Sequence, residues 1–391
     1  KLILVIEMSK EFFSKEEFES RWKKVRYSMK AESIDLLMVI SPTNINYLIG
    51  TPAKGYQEFE VLFFPIDSEP LIIFTRRSEV EMMRDHSLAD EVFGWGGREP
   101  EDPIEILHKL MLEKKLLNRR IGLEIPPYYL HPLEYKKITE ILGDTYILDA
   151  TNLVGEIKLL KSDAELTYVR EASKIADSSF KAGLNTIEVG VSERDVSAAI
   201  HFEMFSKGGD IPSSPMNFLT GNRSMYAHGE PSDRKLQNGD FMHLQFGAHY
   251  RRYCCTIGRN ICLGSPTSRM REIFNVTKSA GDACIAEMGP GVEVKKVHNT
   301  AKAIIESAGM DQYRVHMTGY ALGLAFPPTW VEPLIVDGGS TRKFEPGMVI
   351  AVEPPIFSYD DKIGARLIDN VIITEDGAEV LSKTSRELYI V

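Results

Sequence analysis

The pattern of the chain changes at Ser162-Asp-Ala-Glu165. Upstream, short apolar runs alternate with helical stretches, as expected for strands and helices built around one mixed sheet. At Ser162 a serine followed three residues later by a glutamate has the form of a capping box, which predicts a helix running to about Gly183. A second helix is expected over Ser192 to Lys207, and only then do strand-like segments return. A chain with this break folds as two units. The boundaries read from it are residues 1–155, a smaller mixed α/β domain, and residues 156–391, an α+β domain.

The 391 residues are enough for two domains, each with its own core. In the first, Phe13 to Lys30 reads as an amphipathic helix behind a capping box at Ser14-Lys-Glu-Glu17. Strands are expected at Leu36–Ile40, Val61–Phe64, Leu71–Thr75 and Arg120–Glu124, and helices at Pro103–Leu117 and Leu133–Leu142. Ser41-Pro-Thr-Asn44 reads as a loop, and Asp67-Ser-Glu-Pro70 as a turn. In the second domain, strands are expected at Phe241–Phe246, Tyr253–Cys262, Met348–Val352 and Ile368–Thr374. Helices are expected at Ser268–Met288 and Val294–Ala308.

Net charge of −10, with no block of Lys and Arg, removes the electrostatic footprint of a nucleic-acid binder. Cys254, Cys255, Cys262 and Cys284 form no CxxC pair, so they predict neither a zinc site nor a disulfide framework. They read as small buried side chains in a reducing compartment. Lys1–Glu7 is apolar but too short to span a membrane and lacks the form of a signal peptide; Met8 reads as the native start. A cytoplasmic protein with no membrane partner is expected.

Several blocks then resemble the prolidase, methionine aminopeptidase and creatinase superfamily. Asn44-Ile-Asn-Tyr-Leu-Ile-Gly50 resembles the N-terminal domain signature of prolidases and creatinases, and Ile157 to Leu166 the start of their catalytic domain. His228-Gly229, Gly239 to Gly247, Tyr253 to Arg259, His316 to Gly323, Glu345 to Pro355 and Gly364 to Thr374 follow in the family's order. The resemblance implies a C-terminal pita-bread domain behind a creatinase-like N-terminal domain. It also implies a homodimer in which Tyr56, Gln57 and Glu60 reach a second subunit's pocket.

The departures from the family pattern concern its two-metal centre. The positions of two Asp, one His and two Glu fall on Gln245, Thr256, Tyr320, Glu353 and Ile368, so only Glu353 is kept. One carboxylate with an amide, two hydroxyls and an alkyl chain does not suit two divalent ions, so neither metal nor other cofactor is expected. Asp369 adjoins the lost glutamate, but neighbouring strand residues face opposite ways.

The metal-free creatinase branch works with a histidine and a carboxylate, which match His228 and Glu353; it also uses a Glu where this chain has Gly258 and His residues where this chain has Tyr320 and Ile368. The wider set resembles ectoine hydrolases, which open a cyclic amidine ring. That resemblance implies a metal-independent hydrolase of ectoine or hydroxyectoine, a zwitterionic solute. Glu353 would be base or nucleophile, His228 the proton carrier and Tyr320 a hydrogen-bond donor. Substrate contacts would come from Gln245 and Thr256, from Arg366 (or Arg252 or Arg259) at a carboxylate, and from Tyr226, Phe326, Trp330 and Phe218 around a delocalised cation. His316, two residues before Thr318, stays open. The alternatives are a creatinase-like amidinohydrolase or other small-solute C–N hydrolase, a lyase of onium solutes, and a non-catalytic binding module. The joint presence of His228 and Glu353 favours an enzyme.

Overall fold

The computed structural model describes residues 12–51, 54–67, 70–143 and 147–391, so the expectations for Lys1–Glu7, Met8 and the middle of the turn at Asp67–Pro70 lie outside it. Two compact units result, Lys1–Ile157 and Lys158–Val391.

The first unit carries a six-stranded sheet in the order Glu91–Trp95, Ile72–Arg76, Val61–Pro65, Leu36–Val39, Ile121–Leu123, Ile147–Asp149. Pairing is antiparallel between the three strands from Leu36 to Arg76 and parallel towards both edges. The helix Lys15–Ala31 realises half of the expected box. Ser14 accepts from the Glu17 N–H at 3.4 Å, while the Glu17 carboxylate pairs with Arg21 instead. Ser41–Asn44 is not a loop: a helix runs Pro42–Ile49, with Pro42 at its first turn, where a missing N–H costs nothing. Gly50, at φ 74°, closes it in a left-handed conformation that suits glycine.

In the second unit the capping box at Ser162 and Glu165 is complete and starts the helix Asp163–Leu184. Glu165 also accepts from the Tyr253 hydroxyl at 2.8 Å, tying that helix to the sheet. The helix Glu193–Ser206 packs beside it, and the helices Ser268–Glu287 and Val294–Ser307 form a second pair. The sheet runs Gly377–Val380, Asp369–Thr374, Val349–Val352, Gly319–Phe326, Tyr253–Cys262, Phe241–Tyr250, Asn217–Thr220, with Thr329–Val336 beside Gly319–Phe326. Apolar clusters lie under both helix pairs. All four cysteines are buried and unbonded within them or on the strand between.

The two longest strands, Phe241–Tyr250 and Tyr253–Cys262, are joined by Arg251-Arg252 alone. Both arginines have positive φ, 49° and 68°, as a two-residue hairpin turn of this twist requires. Such backbone is unfavourable for side chains larger than Gly or Asn. Here each arginine is held: Arg251 lies 5.0 Å from the Tyr168 ring centroid and donates to its hydroxyl at 2.6 Å, and the Arg252 N–H donates to Asp210 at 2.7 Å. Among the described residues no helix is long and apolar enough to cross a membrane.

Candidate active site

Glu353 follows the central strand Val349–Val352 and is fully buried. Its backbone N–H donates to the Thr318 carbonyl at 2.8 Å, continuing the pairing with the neighbouring strand. Across from it, Arg366 is also buried, and its Nε and Nη2 donate to Glu353 Oε2 at 3.3 and 3.1 Å. Arg366 Nη1 donates to the Ala227 carbonyl at 2.8 Å, and its backbone N–H to Asn260 at 2.8 Å. The expected free arginine for a substrate carboxylate is thus already committed to Glu353. Arg259 is likewise committed, to Asp369 at 2.7 Å and to backbone carbonyls. Asp369 faces Arg259 and Arg386, away from Glu353, as its place in the strand requires.

Glu353 Oε1 has no hydrogen-bond partner among the described residues, and His316 Nδ1 lies 3.7 Å from it. The His316 ring is 5.6 Å from that of His228, which is exposed. A buried carboxylate, a half-buried imidazole and an exposed imidazole therefore succeed one another from the floor outward. Burial lowers the His316 pKa and Arg366 adds to this, against an opposing pull from Glu353. His228 keeps an exposed edge, but the desolvation of the rest of its ring lowers its pKa, as do Arg366 and His316. Both shifts favour the uncharged imidazole.

The remaining expected residues divide. Gln245 Oε1 accepts from Asn217 Nδ2 at 2.9 Å, and Asn217 Oδ1 accepts from the Gly229 N–H at 2.9 Å. That backbone donor fixes the orientation of both amides and leaves the Gln245 NH2 group as a donor. Thr256 Oγ1 accepts from Asn370 at 2.8 Å. The Tyr320 hydroxyl accepts from the Trp330 indole at 3.0 Å, and burial keeps the phenol protonated, well above its ordinary pKa. Phe326 closes the far end of the Tyr320 strand, with the Arg252 guanidinium 4.7 Å from its ring, so it does not stand beside Glu353. Trp330 packs against Gly247 and His249. Phe218 is core, and Tyr226 turns half of its side chain to solvent. The expected aromatic wall around a cation is therefore not assembled.

The family's metal centre can be tested against these side chains. At its five positions every oxygen acceptor but one is taken by a protein donor: Gln245 by Asn217, Thr256 by Asn370, Tyr320 by Trp330, and Glu353 Oε2 by Arg366. Ile368 lies against Gly258, where an added Cβ would come within 2.5 Å of it. Among the described residues no group of three or more His, Cys, Asp or Glu could hold a metal ion. The donor set does not fit a pair of divalent ions.

The comparisons with known proteins agree on the lineage. Residues 21–159 match the creatinase/prolidase N-terminal domain, and residues 167–375, more than half of the chain, match metallopeptidase family M24. The Xaa-Pro dipeptidase of Pyrococcus furiosus is 29% identical over 371 residues, 95% of this chain and 99% of its own. The uncharacterized peptidase YqhT of Bacillus subtilis is 32% identical over 256 residues, 66% of this chain and 71% of its own. Among solved structures, the Xaa-Pro dipeptidase from Bacillus anthracis superposes with a TM-score of 0.83 at 26% identity, covering 96% of this chain and 100% of that one.

These relatives correct the expected activity. They are peptidases, several of them Xaa-Pro dipeptidases, and so overturn both the ectoine ring-opening reading and the assignment to non-peptide C–N bonds. The geometry agrees, because neither a free arginine for the solute's carboxylate nor the aromatic wall is present beside Glu353. The fold is as the resemblance implies: a creatinase-type N-terminal domain precedes a pita-bread domain, and the chain belongs to the M24 family.

Proposed function

We propose that this chain hydrolyses the C–N bond of a small peptide of the dipeptide class, with Glu353, His316 and His228 carrying the proton transfers. The observation that carries the reading is Glu353 Oε1, a buried oxygen without a hydrogen-bond partner, facing His316 in a chain whose named relatives include Xaa-Pro dipeptidases. In this reading a neutral imidazole takes a proton from water as the water oxygen attacks the carbonyl carbon. The imidazolium so formed is stabilised by Glu353 and returns the proton to the leaving nitrogen as the C–N bond breaks. The products are an acid and an amine. Arg366 holds the carboxylate in place, and the buried Tyr320 hydroxyl and Gln245 NH2 supply donors within the same centre. The reading includes a cytoplasmic homodimer. Glu60 is buried and bonded to Thr75, which leaves Tyr56 and Gln57 as the residues that would reach a second subunit.

The test is release of free amino acids from a panel of Xaa-Pro and other dipeptides, followed by mass spectrometry with and without chelator. Cleavage of at least one dipeptide, abolished in Glu353→Gln and His316→Ala, is expected. No cleavage of any dipeptide, in chelator or with added manganese, cobalt or zinc, overturns the reading.

A further inference from the structure

Glu193 is the first residue of the helix Glu193–Ser206 and is fully buried. A charge there carries a large desolvation cost unless donors surround it. Four do, and they come from both ends of one segment. Thr220 Oγ1 donates at 2.6 Å and Arg223 Nη1 forms an ion pair, both on the way into the segment that carries His228. On the way out, the Ser232 N–H and Oγ donate at 2.8 and 2.6 Å. The helix start adds two backbone bonds, from the N–H groups of Glu193 and Arg194 to the carbonyls of Arg234 and Ser232. Arg223 also donates to Ser232 Oγ at 2.8 Å and to the Glu230 carbonyl at 3.0 Å, joining the two ends directly.

Inside this closed ring, the residues around His228 are each tied to the floor of the site. The Tyr226 carbonyl accepts from His243 Nε2 at 3.0 Å, the Ala227 carbonyl from Arg366, and the Gly229 N–H donates to Asn217. A helix start alone would be satisfied by an exposed carboxylate acting on the dipole. A fully buried one that gathers four side-chain and backbone donors from residues 220, 223 and 232 does more than that.

We propose that Glu193 is the positioning residue for His228: it clamps both ends of the 220–232 segment so that the imidazole stands beside His316. The proposal rests on the reading of His228 as part of the reacting centre. The clamp itself is measured without turnover.

Hydrogen exchange resolved to single amides, together with the ring resonances of His228, tests it in Glu193→Gln and in the milder Ser232→Ala and Arg223→Gln. The expected result is exchange at the Gly229 amide faster by about tenfold or more, as for loss of a local anchor. The His228 ring signals should broaden or split, while amides of Ile200 and Met204 keep native protection. On a dipeptide that the native chain cleaves, kcat should fall by about ten- to a hundredfold with KM unchanged. Native Gly229 exchange and a single sharp His228 signal in the folded variants overturn the proposal. So does a uniform rise at every amide, which marks a purely structural role. If the native chain cleaves no dipeptide, the functional reading falls, and the exchange data still decide the clamp.

Discussion

Arg366 gives both Nε and Nη2 to one oxygen of Glu353, Oε2, and the other oxygen is left facing His316 Nδ1 at 3.7 Å. Buried pairs of this kind are expensive to break on one side. Arg366→Met should lower stability by about 3–5 kcal/mol, because it leaves the buried Glu353 carboxyl without its ion-pair partner. The double change Arg366→Met with Glu353→Leu should recover most of that loss. Urea unfolding of the three proteins measures both steps; a single variant within about 0.5 kcal/mol of native would contradict the one-sided pairing.

The same geometry sets a pH dependence. Burial and Arg366 lower the His316 pKa, and desolvation, Arg366 and His316 lower that of His228, which favours the neutral, proton-accepting form of both. Turnover should hold across neutral pH and fall on acidification through an inflection below the ordinary histidine value of 6.5. His316→Gln should remove about a hundredfold of the rate at pH 7, the scale of a lost general base. An inflection above 6.5 would count against the assignment.

With the family's ligand positions occupied by Gln245, Thr256, Tyr320 and Ile368, purified protein should carry no stoichiometric transition metal. Elemental analysis checks this directly. Chelator should leave both thermal midpoint and turnover unchanged. One or two bound equivalents, lost with activity on chelation, would reverse the conclusion drawn from the donor set.

In the first unit, Glu60 is buried and hydrogen-bonded to Thr75 at 2.6 Å, and burial pushes its carboxyl up to about 7 from 4.5. Between those values the folded state holds the proton that the unfolded chain has released. The associated stability is therefore complete below pH 4.5 and is lost as pH rises through 7. Relative to Glu60→Gln, the native chain should lose about 3 kcal/mol between pH 4.5 and pH 8. Parallel pH profiles for the two proteins would show that Glu60 is ionised throughout.

What the sequence disclosed was mainly local. The capping box at Ser162 needs only four consecutive residues, and the break between the two units followed from it. The helix Pro42–Ile49 was missed because Ser-Pro-Thr-Asn has turn composition, although Pro is equally at home in a helix's first turn. The Arg251-Arg252 turn carries no glycine or asparagine; its support comes from Tyr168 and Asp210, more than forty residues away. Glu353 and His228 could be picked out by type. Their setting could not, since Arg366 has the same identity whether it meets a substrate or a neighbouring carboxylate. Asn217, Asn370, Glu193 and His316 have ordinary side chains whose roles arise only when distant strands and loops meet.

Gly258 and Ile368 exchange both backbone hydrogen bonds, at 3.2 and 3.0 Å, and the isoleucine occupies the space a side chain at 258 would need. A side chain gained first at 258 would collide with the isoleucine. Positions 258 and 368 are therefore coupled: a side chain at 258 is admitted only if the residue at 368 becomes smaller. The glycine and the isoleucine thus act as one packing unit, locking the two strands edge to edge beneath the buried carboxylate.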